Sequence, residues 1–100
     1  SGFTRPEKVT DDVATIDVGR LDEDAPLLLA EGLATETEDG YRIDVRDVVE
    51  DGHEVDAVKV LGGGQVRHEL EVLADDFSDT AIERIEAAGG SATIVENDEG

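Results

Sequence analysis

The chain has 100 residues, of which 38% are hydrophobic and 3% aromatic, so we expect one small domain with an aliphatic core. Cysteine is absent, which excludes disulfides, thiolate metal sites and a cysteine nucleophile. No apolar run approaches the ~20 residues of a membrane-spanning helix and no signal-peptide pattern occurs, so we expect no membrane partner.

Acidic charge is the strongest feature of the composition. The 27 acidic residues outnumber the 8 basic ones and give a formal net charge of −19. They are scattered between apolar runs, which favours a folded domain over a disordered tail. An evenly acidic surface is typical of a halophile's cytoplasm, where molar salt shortens the Debye length to about 3 Å. On charge alone, the alternative is an acidic domain that docks onto a basic protein partner.

The N-terminal part of the chain predicts an extended arm followed by a strand. Residues 1–10 contain Pro6, which disfavours helix at the preceding residue, and we assign them to the arm. Ala14, Ile16 and Val18 then show the period-2 alternation of a strand. The chain begins without an initiator methionine, so we expect it to be a fragment of a longer protein.

The next segment predicts a short helix and a turn. Asp24 fits the N-cap and Pro26 the first turn of a helix that ends near Gly32. Asp39 and Gly40 then form a turn signal. The alternating apolar residues after this turn predict a strand: Tyr41, Ile43 and Val45.

Three glycines separate two further predicted strands. Asp51 and Gly52 mark a turn, after which Val58 and Val60 share one face of a strand. After the glycines at positions 62–64, the chain returns as a strand with alternating apolar residues: Leu70, Val72 and Ala74. We therefore predict that the glycines form a hairpin turn with positive φ.

The clearest helix signal follows this strand. Ser78 is the predicted N-cap, and Phe77 and Ile82 fit the two positions of a hydrophobic staple. Gly89 and Gly90 are expected to end the helix. The predicted buried stripe has helical spacing: Ala81, Ile82, Ile85 and Ala88.

The domain boundaries follow from the two ends of the chain. Residues 91–95 predict a last short strand, and residues 96–100 an acidic, solvated tail. Strands and helices thus alternate in small units over residues 11–95, which predicts a single small α/β domain.

The glycine-rich stretch fits neither common nucleotide-binding motif. In the motif G-x-G-x-x-G, Gly62 and Gly64 match, but Arg67 replaces the third glycine and a strand follows instead of a helix. A P-loop needs Gly-Lys-Ser/Thr where this chain has Gly-Gln-Val. A plain turn and a contact to RNA both stay open, since glycines let a phosphate approach the backbone and Lys, Arg and Gln supply donors.

No residue pattern points to an enzyme. His68 and Glu69 are adjacent on a predicted strand and therefore face opposite sides. Ser78 is explained by its capping position. His53 lies in an acidic turn, where a solvated histidine is favoured over a metal ligand, and no calcium-loop spacing occurs. We expect no catalytic residue, cofactor, metal or small-molecule substrate.

Three arginines outside the glycine-rich stretch have a simpler interpretation. Arg42, Arg46 and Arg84 are expected to offset neighbouring carboxylates on solvated faces.

Residues 59–90 resemble the signature segment of the large-subunit ribosomal protein fifteen family. The matching positions are a lysine with two aliphatics, a glycine turn, spaced aliphatics, and the start and end of a helix: Lys59, Val60, Leu61, Gly62, Gly64, Val66, Leu70, Val72, Phe77, Ser78, Ala81, Ile85 and Gly89. Upstream, GFTRPEKV, ATIDV and YRIDVRDVV resemble the archaeal branch, and together with the acidity they indicate a haloarchaeal member.

The resemblance implies a structural constituent of the 50S subunit in the cytoplasm. Such a protein would bind 23S rRNA and neighbouring ribosomal proteins and support subunit assembly. The resemblance also implies a fold described as an irregular superhelix of β-β-α units. Family members carry a long basic N-terminal extension, so this chain is expected to be the globular C-terminal domain, with Arg5 and Lys8 as the remnant of the extension.

The candidate rRNA-binding residues lie in the arm and around the glycines: Arg5, Lys8, Lys59, Gly62, Gly63, Gly64, Gln65, Arg67 and His68. Because the chain carries a net charge of −19 and lacks the basic extension, we expect it to bind rRNA weakly or not at all when isolated. The alternative function is that of an acidic halophilic domain that docks onto a basic protein partner.

Overall fold

The computed structural model describes residues 13–49 and 54–95, and within these ranges it contains seven strands and three helices. In chain order the elements are β1 (Val13–Asp17), α1 (Val18–Ala30), β2 (Ala34–Glu36), β3 (Gly40–Asp44), α2 (Val45–Val48), β4 (Ala57–Leu61), β5 (Glu69–Ala74), β6 (Asp76–Phe77), α3 (Asp79–Ala87) and β7 (Ser91–Ile94). The predicted arm, the predicted acidic tail and the predicted turn at Asp51 lie outside the described residues.

The strands form two sheets, and the chain passes repeatedly from one to the other. The first sheet has the order β1-β4-β6 with all strands parallel. The second has the order β2-β3-β5-β7, in which only the β2–β3 pair is antiparallel. Helices connect strands of different sheets, and β2-β3-α2 and β5-β6-α3 are two β-β-α runs separated by β4. The predicted α/β class is confirmed.

One hydrophobic core joins both sheets to the helices. The only buried aromatic residue within the described ranges is Phe77, and the rest of the core is aliphatic, as the composition predicts. The buried hydrophobic residues are Val18, Leu21, Ala25, Leu28, Ile43, Val45, Val58, Val60, Leu70, Val72, Ala74, Phe77, Ala81 and Ile85. Within the same ranges, no helix is both long and apolar enough to cross a membrane.

The first helix begins seven residues earlier than the sequence predicts. Val18, predicted as a strand residue, is the first residue of α1, and Asp17 is its N-cap. Asp24 is therefore not an N-cap but lies inside the helix, where its carboxylate pairs with Arg20 at 3.0 Å. Pro26 lies inside the helix as well and is exposed. A proline there removes one backbone hydrogen bond and crowds the carbonyl four residues earlier, and the buried face of α1 offsets this cost by tertiary packing.

The three glycines do not form the predicted hairpin. β4 pairs with β1 and β6, whereas β5 pairs with β3 and β7, so the two strands lie in different sheets. Of Gly62, Gly63 and Gly64, only Gly64 has a positive φ, of 84°. The prediction was wrong because a strand–glycine–strand pattern does not specify which strand each one pairs with. Close packing accounts for Gly62, since a Cβ there would lie 2.5 Å from Thr80 Cγ2.

Other local predictions are confirmed. The turn before Gly40 joins β2 to β3, and the Thr37 N–H donates to the Gly40 carbonyl at 2.8 Å. The Ser78 hydroxyl accepts from the Ala81 N–H at 3.1 Å and caps α3. Gly89 follows the helix with a φ of 91° and ends it. The sequence did not predict β2, α2 or β6, which are three, four and two residues long and too short for a periodic pattern.

Candidate nucleic-acid interface

A glycine-rich loop lies where the chain crosses from the first sheet to the second. We call residues 62–68, between β4 and β5, the glycine loop. Gly63, Gly64, Gln65 and Arg67 in this loop are exposed, whereas Val66 is half-buried and packs against the core. The loop therefore presents backbone and two long polar side chains to solvent, and an apolar residue between them attaches it to the domain.

The first turn of α1 packs directly against the glycine loop. The Gly19 N–H donates to the Gly63 carbonyl at 2.9 Å. A Cβ on Gly19 would lie 2.6 Å from Gly64 Cα and 2.8 Å from the Gln65 nitrogen, closer than real side-chain carbons approach. A Cβ on Gly63 would lie 2.8 Å from Asp17 Cγ. Glycine on both sides of this contact allows the two backbones to touch.

A single buried carboxylate on α1 holds the other end of the loop. Asp22 is 4% exposed, and its Oδ1 accepts three hydrogen bonds. The donors are the backbone N–H of Arg67 at 2.9 Å, the backbone N–H of His68 at 2.8 Å and His68 Nδ1 at 2.8 Å. Because an ionised carboxylate only accepts, Nδ1 carries the hydrogen in this contact. The His68 ring also packs edge-to-face on Tyr41, with ring centroids 5.2 Å apart.

These contacts set the protonation state of Asp22. Burial by itself raises the pKa of this carboxyl group, because it removes the charged form from water. The hydrogen bonds from the backbone of His68 and Arg67 and from the His68 ring favour the charged form and outweigh burial. The net result is a pKa below the ordinary value for aspartate, so Asp22 is an anion at neutral pH.

A cleft of about 530 Å³ lies between the first half of α1 and the glycine loop. Its charged lining consists of Asp17, Arg20, Asp22, Glu23, Arg67 and His68. The described lining includes no hydroxyl or thiol side chain that could act as a nucleophile, and Asp22 and His68 are engaged in holding the loop.

Metal binding has no support in the described part of the chain. No group of three or more histidine and carboxylate side chains between residues 13 and 49 or 54 and 95 is arranged to hold a metal ion. His53, weighed as a ligand on sequence grounds, lies outside these ranges.

The structure brings together six of the nine predicted rRNA-binding residues. Gly62, Gly63, Gly64, Gln65, Arg67 and His68 form the glycine loop. Lys59 lies on β4, with its Nζ 3.8 Å from the Asp76 carboxylate. Arg5 and Lys8 lie outside the described residues.

Three residues near the loop were not predicted as parts of the site. Arg20 and Asp22 line the cleft from α1, and Arg84 of α3 lines a second cleft of about 220 Å³ beside Gln65 and Arg67. Helical spacing could have identified Asp22, because it continues the buried stripe of Val18 and Leu21, but the predicted helix began too late. No sequence signal connects Arg84 to the loop, since only tertiary packing brings α3 there.

Arg42 and Arg46, which the sequence analysis grouped with Arg84, both lie beside carboxylates. Arg46 lies 2.8 Å from the Asp75 carboxylate and is partly buried, with its side chain 24% exposed. Arg42 lies 4.0 Å from the Glu71 carboxylate on an exposed face. Arg84, in contrast, has no ion-pair partner within the described ranges. The prediction therefore holds for Arg42, and for Arg46 it holds for the carboxylate but not for the solvated face.

Comparison with known proteins gives a consistent family assignment. A sequence model described as "Ribosomal proteins 50S-L15, 50S-L18e, 60S-L27A" matches residues 15–93. "Large ribosomal subunit protein uL15" of Halobacterium salinarum is 59% identical over 96 residues, which cover 96% of this chain and 63% of that protein. The proteins of the same name from Halorubrum lacusprofundi and Haloarcula marismortui are 58% and 54% identical, over 98% and 96% of this chain and 59% and 58% of their own lengths. The chain thus spans about three-fifths of these halophilic relatives.

Proposed function

Because this chain belongs to the family of ribosomal proteins 50S-L15, 50S-L18e and 60S-L27A, which are not enzymes, we propose that it is a structural constituent of the large ribosomal subunit. In this role it binds 23S rRNA and neighbouring ribosomal proteins in the cytoplasm and supports assembly of the subunit. Catalysis forms no part of the proposal.

The observation that carries the proposal is the way in which the glycine loop is held. Asp22 and Gly19 attach the loop to α1 at both ends, through hydrogen bonds of 2.8 to 2.9 Å. Between these attachments Gly64 and Gln65 stay exposed. A loop ordered before binding loses less conformational entropy when it meets a rigid RNA surface. Exposed glycine backbone and an amide side chain are suitable donors for phosphate and sugar oxygens.

The acidic remainder of the surface supports contacts to proteins rather than to RNA. Within the described ranges, Glu83 and Glu86 on α3 are exposed carboxylates that no described basic residue offsets. Carboxylates repel phosphate and attract lysine and arginine. We therefore assign rRNA to the side of the glycine loop and basic ribosomal proteins to the acidic faces.

The test is incorporation into a particle. Large subunits are assembled in molar KCl from 23S rRNA and total large-subunit proteins of a haloarchaeon from which the related protein has been removed. The labelled chain is added and the mixture is sedimented. We expect the chain to sediment with the subunit and a Gln65→Ala/Arg67→Gln variant to be retained less, whereas Arg42→Gln, which lies on β3, is retained like the unmodified chain.

Two results would contradict the proposal. The chain could stay at the top of the gradient under all conditions, which would remove the ribosomal role. It could instead sediment equally well with unrelated basic proteins in place of the ribosomal set, which would favour the acidic docking domain as its function.

A further inference from the structure

Arg67 and Arg84 differ from the other arginines of the described ranges. Arg20, Arg42 and Arg46 each have a carboxylate within 4.0 Å. Neither Arg67 nor Arg84 has such a partner among the described residues, although both are exposed. In a chain with 27 acidic residues, two exposed arginines without an anion are unexpected.

The sequence positions around Arg84 explain why no partner is available on its own helix. Side chains three and four residues apart meet on a helix surface. The four such neighbours of Arg84 are uncharged: Thr80, Ala81, Ala87 and Ala88. The carboxylates of α3 at Glu83 and Glu86 lie one and two residues away and therefore face other directions.

Tertiary packing places the two arginines at one cleft. Gln65, Val66, Arg67, Arg84 and Ala87 line a depression of about 220 Å³ between the glycine loop and α3. Two guanidinium groups at one cleft repel each other unless an anion lies between them. Among the described residues the lining contains no carboxylate that could lie between the two guanidinium groups.

We infer that Arg67 and Arg84, together with Gln65, form a binding site for a phosphate group of the rRNA backbone; this inference rests on the proposed function. Guanidinium groups donate paired hydrogen bonds that match the oxygens of a phosphate, and the Gln65 amide adds a further donor. Asp22 acts as a positioning residue, because it accepts hydrogen bonds from the backbone N–H groups of Arg67 and His68 and so fixes the position of the Arg67 backbone.

An acidic protein segment is the competing occupant of this cleft. A carboxylate can also accept from an arginine, but the glycine loop beside the cleft offers close backbone approach, which favours the bulkier and more highly charged backbone of RNA. The rows of phosphates along RNA also allow the exposed loop and the arginine cleft to be occupied at once.

Nuclear magnetic resonance can test the site even if binding is weak. The ¹⁵N-labelled chain is titrated in molar KCl with a mixed-sequence RNA hairpin and, separately, with oligo-glutamate of matched net charge. The Nε–Hε signals of Arg67 and Arg84 should shift with RNA more than with oligo-glutamate. The Nε–Hε signal of Arg42, an exposed arginine on β3, provides the internal control and should shift little.

Charge-removing variants give the second measurement. Arg67→Gln and Arg84→Gln should each raise the Kd for the RNA hairpin about tenfold, the loss expected for one charge-assisted hydrogen-bonding group. The slope of log Kd against log salt concentration should fall by about one for each variant. The fold-increase in Kd of the double variant should differ from the product of the two single fold-increases, because both arginines contact one phosphate. Arg42→Gln removes the same charge elsewhere and should change the Kd by less than about twofold.

Each other outcome overturns a defined part of the inference. If Arg67→Gln and Arg84→Gln bind the RNA hairpin like the unmodified chain, the site is refuted, even if the chain sediments with the large subunit. If Arg84→Gln lowers only the free energy of unfolding, Arg84 serves the C-terminal end of α3 and not a ligand. Stronger shifts with oligo-glutamate would replace RNA by an acidic protein. RNA binding at this cleft without incorporation into the subunit would refute the proposed function and leave the phosphate site in place.

Discussion

Asp22 occupies a position that helical spacing normally gives to an apolar side chain, next to Leu21 and one turn after Val18. A buried carboxylate is costly unless its charge is compensated by hydrogen bonds. Here three N–H groups from the glycine loop supply them, and all three converge on Oδ1. The three hydrogen bonds therefore compensate the buried charge and also connect α1 to the start of β5.

Removing the Asp22 carboxylate should destabilise the domain. Asp22→Ala leaves two backbone donors without an acceptor, and we expect the free energy of unfolding to fall by about 2–4 kcal/mol. Asp22→Asn keeps an acceptor oxygen and should lose less. Glu23→Gln, an exposed neighbour on the same helix, is the matched control and should change stability by less than about 0.5 kcal/mol. Urea unfolding in molar KCl measures all three, and equal stability of Asp22→Ala and Glu23→Gln would contradict the assigned role.

The lowered pKa of Asp22 predicts a pH dependence of known sign. Because its pKa in the folded chain lies below the ordinary value of 3.8, folding favours the ionised form. The contribution of Asp22 to stability is therefore complete above about pH 4 and disappears as the pH falls through the folded-state pKa. The difference in unfolding free energy between the unmodified chain and Asp22→Asn should be present above about pH 4 and shrink as the pH falls below that value. A difference that grows on acidification would show that the sign is wrong.

At the scale of elements, the decisive contact is that of the first turn of α1 with the glycine loop. Glycine is a poor helix former, and Gly19 costs about 1 kcal/mol relative to alanine in a helix. The close approach of the Gly64 and Gln65 backbones to Gly19 explains why a side chain is not tolerated there. The helix therefore loses some intrinsic stability in exchange for a direct backbone contact that orders the loop.

Gly19→Ala tests this contact directly. We expect the free energy of unfolding to fall by about 1–3 kcal/mol through overpacking, despite the better helix propensity of alanine. Gly32→Ala separates crowding from backbone strain, because Gly32 has open space around it but a φ of 81°. It should cost about 1 kcal/mol. Only Gly19→Ala should shift the amide resonances of residues 63–68, and a more stable Gly19→Ala would contradict the close packing.

At the scale of the whole molecule, carboxylates far outnumber the lysines and arginines that could pair with them. The chain holds 27 acidic and 8 basic residues, and four lysine or arginine ion pairs join described residues at 4.0 Å or less. Three of these four involve side chains that are largely exposed, and such pairs contribute at most about 1 kcal/mol each. Repulsion among the remaining carboxylates must therefore be screened by dissolved salt.

Lowering the salt should unfold or expand the domain. As KCl falls from molar to millimolar concentration, the Debye length grows from about 3 Å to more than 10 Å and the carboxylates begin to repel one another. Circular dichroism should then report a loss of helix and sheet signal. A Glu83→Gln/Glu86→Gln variant, changed on the exposed face of α3, should need less KCl to fold. Unchanged stability over the whole range would remove the halophilic interpretation of the charge.

The sequence by itself determined the features that depend on neighbouring residues. These include the cap of α3 at Ser78, its end at Gly89 and the turn before Gly40, because such contacts span only a few residues. The α/β class and the aliphatic core followed from the alternation of predicted elements and from the composition. The signature over residues 59–90 also led to the family, since a pattern of spaced residues can be recognised without knowing which strands pair.

Only the tertiary structure decided what the glycines do. The spacing from Lys59 to Val72 is the same for a hairpin and for a crossing between two sheets, and the choice depends on which strands lie beside β4 and β5. The glycine loop contacts Asp22 and lines a cleft together with Arg84, and these residues lie 45 and 17 positions from Arg67 in the chain. Such distant contacts arise from packing around one core, and no local pattern in the sequence records them.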